Sequence, residues 1–239
     1  MTINRLVLDL SHHETVQDWS AVKADGIVGI IYKSTQGMGY HDPTYHKAKV
    51  KAKAAGFLWG SYHFAEGTSV DEQVRNYLNY TSIENDELFC LDLESYGDNT
   101  MNLQQAAMFV EKVEKALGRE NQCVLYSGNL IKEMLGNTKS EFWGARRLWL
   151  AQYGNTPSVQ KSWDTFFLWQ YSDGEYGPQP HDVNGISDAV DSNHFDGTED
   201  ELAAQWSGGE EPVPPETPLV KILITAPKNV KVEVTQLDT

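Results

Sequence analysis

The stretch "FCLDLES" (residues 89–95) places two acidic side chains inside a run that is otherwise typical of a buried strand. An unpaired carboxylate is costly to bury, and it usually changes its protonation state instead of staying charged. Side chains two positions apart on a strand point to the same face, and a rise of about 3.3 Å per residue separates the Cα atoms of Asp92 and Glu94 by about 6.6 Å. We therefore expect Asp92 and Glu94 to share one pocket.

The bulk composition narrows the class of protein. A chain of 239 residues can form one large domain, or one domain with an appendage. Its apolar runs are of strand length and none approaches the ~20 residues of a membrane helix, so we expect no membrane insertion. The net charge of −15 argues against a nucleic-acid partner. Two cysteines, Cys90 and Cys123, cannot build a disulfide framework and are expected to be buried free thiols.

Strand-like and helix-like segments alternate along the chain. Asp42 and Pro43 are typical of a helix start, Gly56 of its end, and further helices are predicted near residues 71–78, 102–117 and 200–206. The predicted strands are residues 5–9, 26–33, 57–64, 87–94, 123–127, 148–153, 166–172 and 189–195. Eight strands with helical crossovers in the first half predict an α/β fold of the barrel type.

The composition changes after residue 206. We therefore divide the chain into a catalytic barrel domain (1–206), a Gly/Pro/Glu-rich linker with the sequence "SGGEEPVPPETP" (207–218) and a short β-like tail (219–239). The tail has two β-branched runs that could form a hairpin, and a lone hairpin is marginal in water. We expect it to depend on a contact with the barrel, with another subunit or with further chain.

Polar or aromatic side chains stand at the carboxyl ends of all eight predicted strands. In a barrel these ends surround one mouth, where chemistry is placed. Taken singly, Asp9 could cap a loop, Lys33 could be a solvated strand end and His63 could be a satisfied core histidine. Taken together they predict one site: Asp9, Lys33, Tyr62, His63, Asp92, Glu94, Tyr126, Gln152, Trp169, Gln170 and Asp191.

Carboxylates and aromatic rings in one mouth are suited to cutting a glycosidic bond. One acid protonates the leaving oxygen, negative charge stabilises the sugar cation, and aromatic faces pack against sugar rings. Metal-assisted hydrolysis is the alternative suggested by the histidines of "SHH" (11–13). The chain has no HExxH motif and no His-x-His pair on a strand, so we predict neither a metal site nor a cofactor.

The order and spacing of eight motifs resemble the glycoside hydrolase family 25 lysozymes, many of which are bacteriophage endolysins. The motifs are "LDLSHH", "IYKSTQG", "GSYHFA", "LDLES", "LYSG", "LWLAQY", "LWQYSDG" and "DAVDSNHFDG", covering about residues 5–197. The resemblance implies a modified (β/α) barrel with five early β/α units and shorter closing strands. It also implies a muramidase that cuts the β-1,4 bond between N-acetylmuramic acid and N-acetylglucosamine in peptidoglycan.

The resemblance also implies roles for four acids. Glu94 matches the general acid, and repulsion from Asp92 would favour a proton on it. Asp92 matches the residue that orients the 2-acetamido group as internal nucleophile in a retaining path, although a direct enzyme nucleophile remains an alternative. Asp9 and Asp191 would hold the array by charge and hydrogen bonding. Substrate binding is assigned to Lys33, Tyr62, His63, Tyr126, Gln152, Trp169 and Gln170.

The chain departs from the family pattern at Gln36, where the family often has Glu, and in its paired histidines, which could affect the pH profile. A catalytically inactive peptidoglycan-binding module of the same fold is the main alternative function. The start "MTINRLVLDLSHH" lacks the 7–15-residue apolar region of a Sec signal peptide. We therefore expect synthesis in a host bacterial cytoplasm and action on the cell wall after release.

Overall fold

The structure is a computed structural model that describes residues 3–208. Its strands are β1 (Val7–Leu10), β2 (Gly29–Gln36), β3 (Tyr40–His41), β4 (Leu58–Phe64), β5 (Leu88–Asp92), β6 (Val124–Ser127), β7 (Leu148–Ala151), β8 (Leu168–Asp173) and β9 (Asp191–His194). Its helices are α1 (Trp19–Ala24), α2 (Tyr45–Ala54), α3 (Val70–Thr81), α4 (Leu103–Leu117), α5 (Asn129–Leu135), α6 (Glu141–Gly144) and α7 (Glu199–Trp206).

The sheet closes into a barrel because β1 pairs with both β2 and β9. The order around the barrel is β1-β2-β4-β5-β6-β7-β8-β9, with β3 added as a short hairpin partner of β2. The pairs from β1 to β8 are parallel, whereas β9 is antiparallel to both of its neighbours. Helices follow β1, the hairpin of β2 and β3, β4, β5 and β6, whereas no helix lies between β7 and β9 (residues 148–194), and α7 follows β9. The predicted architecture of five β/α units and shorter closing strands is confirmed.

Helix boundaries follow local capping chemistry. Asn102 and Gln105 form a reciprocal capping box at the start of α4, and Gly118 ends that helix with a left-handed φ of 65°. The start of α2 differs from the sequence prediction. Asp42 accepts hydrogen bonds from the backbone N–H groups of Thr44 and His12, but the helix begins at Tyr45, with Thr44 as its N-cap, instead of at Pro43.

Alternation along the strands divides the core into two layers. On β5, Phe89 and Leu91 pack outward beneath the helices, whereas Leu88 and Cys90 point into the barrel. Both cysteines are free and buried, as predicted. The indole of Trp206, on α7, fills the barrel interior next to Gly29, leaving no room there for a Cβ atom.

No helix within residues 3–208 is long and apolar enough to span a membrane. The predicted linker (207–218) lies outside the described residues from residue 209 onward. The whole of the predicted tail (219–239) also lies outside them.

Candidate active site

Four carboxyl groups meet at the carboxyl ends of the parallel strands. Asp9 lies on β1, Asp92 is the last residue of β5, and Glu94 follows two residues later in the loop. Because β9 is antiparallel, its first residue, Asp191, lies at the same end and pairs directly with Asp9. The groups surround a pocket of about 170 Å³, here called the mouth pocket, lined by Asp9, Lys33, Tyr62, Phe64, Asp92, Glu94, Tyr126, Trp149 and Asp191.

The expectation that Asp92 and Glu94 share a pocket is met by this geometry, although β5 ends before Glu94. Burial raises the pKa of Asp92 well above its usual range, and the charge of Glu94 raises it further. Burial also raises the pKa of Glu94, against the opposing effects of the Tyr126 hydroxyl and the Lys33 ammonium group. Burial, and not the expected repulsion from Asp92, is therefore the leading reason for a proton on Glu94.

One oxygen of Asp92 is available to a ligand. Its Oδ1 atom is buried and has no hydrogen-bond partner within residues 3–208. A buried polar atom without a partner is costly, so a donor brought by a bound molecule would satisfy it. An amide N–H of a substrate has the required chemistry.

Asp9 and Asp191 form a second acidic pair. Burial raises the pKa of Asp9 to about 6, while hydrogen bonds from Asn193 and Gln170 act in the opposite direction. The pKa of Asp191 is raised to about 10 by burial and next by the charge of Asp9. Near neutral pH, this pair therefore holds one proton, which resides mainly on Asp191.

Lys33 is the cation that faces these acids. Burial lowers its pKa, whereas the charge of Asp92 leads the effects that raise it. Its Nζ atom donates to Gln36 Oε1 at 2.8 Å and lies 4.9 Å from the centre of the Phe64 ring. Gln36 in turn donates to Glu66 Oε1 at 3.0 Å. The amide at position 36 therefore bridges Lys33 to a carboxylate on the next loop.

Aromatic rings form the walls of the mouth pocket. The Tyr126 and Trp149 rings meet edge to face, with 4.5 Å between centroids, and Tyr62 approaches Trp149 at 6.4 Å. Their apolar faces are suited to packing against sugar rings. Sequence reasoning found Tyr62 and Tyr126 but missed Phe64 and Trp149. Phe64 lies two residues after Tyr62 on β4, and Trp149 lies two residues before Ala151 on β7, so strand alternation places each on the same inward face as that neighbour.

Four residues assigned to substrate binding do not line the mouth pocket, which corrects the sequence prediction: His63, Trp169, Gln152 and Gln170. His63 has an exposed fraction of 0%, bonds to Thr35 and Gln73, and points between the sheet and the helices. Trp169 is equally buried on the outer face of β8, and its indole N–H donates to the carbonyl oxygen of Gln152.

Gln152 stands just beyond β7 and is occupied by its neighbours. Its Oε1 atom accepts from Lys132 Nζ at 2.7 Å, and its Nε2 atom donates to the carbonyl oxygen of Thr156 at 2.8 Å. It is absent from the residues that line the mouth pocket. Its position indicates support of the rim loop in place of the predicted substrate contact.

Gln170 lies inside the barrel below the mouth pocket. Its exposed fraction is 1%, and its side chain bonds to both oxygens of Asp9, to Asp191 and to the Tyr126 hydroxyl. Asn193, which sequence reasoning missed, donates to Asp9 Oδ1 at 2.7 Å. These two amides hold the acids in place, so substrate contact through Gln170 is not supported by its position.

Metal-ligand candidates lie away from the mouth pocket. Within residues 3–208, one group of three acidic side chains could share an ion: Glu84, Asp86 and Glu87. Lys53 Nζ lies within 3.3 Å of a carboxylate oxygen of each of them. Of the paired histidines, His12 directs its Nδ1 atom to Asp42 at 2.9 Å.

A closed α/β barrel with paired carboxyl groups and aromatic walls at its mouth is typical of glycoside hydrolases. The family model of glycosyl hydrolases family 25 matches residues 8–179. The chain belongs to this family, and the resemblance noted from its motifs is confirmed.

Two lysozymes are similar to the chain in sequence. The autolytic lysozyme of Clostridium acetobutylicum is 28% identical over 195 residues, which cover 79% of this chain and 55% of that protein. Lysozyme M1 of Streptomyces globisporus is 27% identical over 216 residues, covering 82% of this chain and 69% of that protein. The chain thus spans little more than half the length of the clostridial relative.

Solved structures share the fold. The bacterial lysozyme of Streptomyces coelicolor superimposes with a TM-score of 0.72 at 24% identity, covering 85% of this chain and 98% of that chain. A family 25 lysozyme of Aspergillus fumigatus superimposes with a TM-score of 0.70 at 25% identity, covering 85% of this chain and 99% of that chain. The barrel matches nearly the whole of both neighbours.

Proposed function

We propose that the protein is a muramidase that hydrolyses the β-1,4 bond between N-acetylmuramic acid and N-acetylglucosamine in bacterial peptidoglycan. Family membership supports the class of substrate, because the two relatives described above, from Clostridium acetobutylicum and Streptomyces globisporus, are lysozymes. The observation that carries the proposal is the placement of Asp92 and Glu94 together in the mouth pocket, with Asp9 and Asp191 beside them.

Glu94 is the general acid in this proposal. Burial raises its pKa, which keeps a proton on the group at the pH where it must be donated. In the bond-breaking step the proton moves from Glu94 to the glycosidic oxygen, which also receives the electron pair of the breaking C–O bond. The carboxylates around the pocket stabilise the positive charge that develops on the sugar.

Asp92 acts on the substrate's 2-acetamido group. Its unpartnered Oδ1 atom is an acceptor for the amide N–H, and this contact would aim the amide oxygen at the anomeric carbon. The reaction is then substrate-assisted and retains the anomeric configuration. Direct attack by an enzyme carboxylate is the competing path, and trapping a glycosyl-enzyme adduct at Asp92 would favour it.

The test is digestion of purified peptidoglycan, followed by mass spectrometry of the borohydride-reduced fragments. The proposal requires new reducing ends on N-acetylmuramic acid. Reducing ends on N-acetylglucosamine, or cuts in the peptide stems, would overturn it. A protein that binds the wall but releases no fragments would instead be an inactive binding module, and addition of EDTA to an active sample tests the metal-dependent alternative.

A further inference from the structure

A second pocket, here called the side pocket, lies between the loop that follows β1 and the helix α2. Its volume is about 140 Å³, and its polar and aromatic lining consists of His12, Glu14, Trp19, Tyr32, Lys47 and Lys51. An apolar cavity of roughly this size holds a molecule as large as benzene. The side pocket can therefore receive one or two side chains of a bound molecule.

The side pocket is connected to the mouth pocket by a run of polar and aromatic contacts. Lys33, which lines the mouth pocket, places its Nζ atom 5.6 Å from the centre of the Tyr40 ring. The Tyr40 hydroxyl lies 3.2 Å from Nδ1 of His12, which lines the side pocket. Tyr40 has an exposed fraction of 39%. A substrate held in the mouth pocket can therefore extend across Tyr40 into the side pocket.

Two lysines of the side pocket lack anionic partners. Neither Lys47 nor Lys51 forms an ion pair or a side-chain hydrogen bond within the part of the chain that the structure describes. By contrast, Lys49 and Lys53 on the same helix bind Glu87 at 2.8 and 2.9 Å. The unpaired cations of α2 are thus the two that line a pocket.

The positions of these lysines are unfavourable for the helix itself. Lys47 lies in the first turn of α2, where the helix dipole disfavours a cation, and that turn contains no acidic residue. Lys51 follows four residues later on the same face, and like charges at this spacing repel each other. A bound anion would offset both costs. The pair therefore indicates a site for negatively charged groups on a protein whose net charge is −15.

One acid in the side pocket restricts the kind of anion that fits. The Oε2 atom of Glu14 accepts hydrogen bonds from the backbone N–H and the hydroxyl of Ser11, at 2.7 and 3.2 Å. Its charge repels every further negative group of a polyanion but attracts an ammonium group. Two cations and one acid are thus suited to a peptide that carries carboxylates and an amine, and less suited to a polyphosphate.

We propose that the side pocket binds the stem peptide of the substrate, with Lys47 and Lys51 pairing with its carboxylates and Trp19 packing against its apolar side chains. The inference rests on the proposed function, because the stem peptide is attached to the muramic acid that the mouth pocket would hold. An extended peptide of three or four residues spans about 10–14 Å. This length is sufficient for the two contacts, of 5.6 Å and 6.2 Å, that lead from Lys33 through Tyr40 to the ring of His12.

The test compares two forms of the same soluble glycan fragments, one with stem peptides and one from which an amidase has removed them. The measured quantity is the ratio of the two KM values. In the wild type, KM should be about 2–10-fold lower with the peptides present, the size expected for two partly exposed ion pairs. In the double variant Lys47→Gln/Lys51→Gln the ratio should approach one, and in Lys47→Arg/Lys51→Arg it should be retained.

The matched control is Lys139→Gln/Lys161→Gln. Both of these lysines are exposed, neither lines the mouth pocket or the side pocket, and the variant has the same net charge as the test variant. It should keep the wild-type preference. Raising the salt concentration from about 0.1 to 0.5 M should weaken the preference of the wild type, because salt screens exposed charges.

Equal KM values for the two forms in the wild type, or an equal loss of preference in the control variant, would overturn the proposal. Lysine-dependent inhibition by poly(glycerol phosphate), without preference for peptide-bearing fragments, would assign the pocket to a polyanion and would also overturn it. Calorimetric binding of both forms to Glu94→Gln needs no turnover. If the wild type releases no muramic acid ends but this binding prefers the peptide-bearing form and depends on Lys47 and Lys51, the proposed function fails and the side pocket stands.

Discussion

Asp9 and Asp191 are direct partners across the antiparallel pair formed by β1 and β9. Two like charges opposite each other destabilise a sheet, and both carboxyl groups are largely removed from water. The protein tolerates the pair because the two groups share a proton and because Gln170 donates to both. Near neutral pH the pair therefore places one proton and one negative charge at the wall of the mouth pocket.

Asp191→Asn should make the protein more stable and less active. The folded-state pKa of Asp191 is about 10, compared with 3.8 for the ordinary group, so the unfolded chain releases this proton at lower pH. The stabilising effect of the bound proton is therefore complete below about pH 4 and is lost progressively as the pH rises to about 10. Because an amide cannot ionise, the stability of the Asp191→Asn variant should not fall over this pH range as that of the wild type does.

The measurement is a set of thermal melts at pH 4, 7 and 9. We expect the variant to melt at least about 2 °C above the wild type at pH 9, the shift that ~1 kcal/mol gives in a domain of this size, and to match it near pH 4. Asp164→Asn, at an exposed position, controls for the change of net charge. A gap that is the same at all three pH values would contradict the shared proton.

Glu94→Gln should abolish most activity while leaving the fold intact. The amide keeps the shape of the side chain but has no acidic proton, so kcat should fall by roughly 10²–10⁴-fold, as for loss of a general acid. Release of reducing ends from soluble glycan fragments gives the rate, and circular dichroism gives the fold. Glu133→Gln, on the exposed side of α5, is the matched control. Near-normal turnover of Glu94→Gln would remove Glu94 from the role of acid.

His63 and Tyr62 are neighbours on β4, and we expect their substitution to affect different properties: the stability of the protein for His63 and substrate binding for Tyr62. His63→Leu leaves Thr35 and Gln73 without their buried partner, which should cost about 1–3 kcal/mol of unfolding free energy and leave KM unchanged. Tyr62→Ala removes a wall of the mouth pocket and should raise KM for glycan fragments. Equal changes of KM in the two variants would show that His63 contacts the substrate after all.

The destabilisation of His63→Leu should also depend on pH. Burial lowers the pKa of His63 from 6.5 to about 4, so the unfolded chain binds this proton more readily than the folded protein. The stability that the neutral histidine contributes is present above about pH 6.5 and is lost as the pH falls through 4. Urea unfolding at pH 7 and pH 4.5 should show the gap between wild type and variant narrowing at the lower pH.

Tyr62 and His63 also show how much of the site can be predicted from the sequence. Alternation places Asp92 and Glu94 on one face, and the succession of strand-like and helix-like runs predicts the barrel. In the adjacent pairs Tyr62–His63 and Trp169–Gln170, only one residue of each pair can face inward. Alternation alone does not decide which one, because that depends on the register between strands.

The burial that sets the pKa values of the acids comes from contacts distant in sequence. Asn193 reaches Asp9 from 184 positions along the chain, and Gln170 reaches it from 161 positions. A local pattern contains no information about such distances. The acidic residues could therefore be found from the sequence, whereas the proton that they share could be assigned only from the fold.

The boundary between the barrel and the predicted linker can be tested by two truncations. Trp206 has an exposed fraction of 1%, its indole nitrogen donates to the carbonyl oxygen of Trp59 at 2.7 Å, and its ring lies against Gly29. A chain that ends at residue 208 keeps this contact and should melt within a few degrees of the full chain, with unchanged hydrolysis of soluble fragments.

A chain that ends at residue 198 loses α7 and should be strongly destabilised. Deleting the buried Trp206 should cost at least the ~3–5 kcal/mol of unfolding free energy that a Trp→Ala change costs. Trp206→Ala in the full chain separates loss of the ring from loss of the helix. If truncation after residue 208 lowers the melting temperature as much as Trp206→Ala does, the residues beyond it belong to the folded domain and the predicted boundary at 206 is wrong.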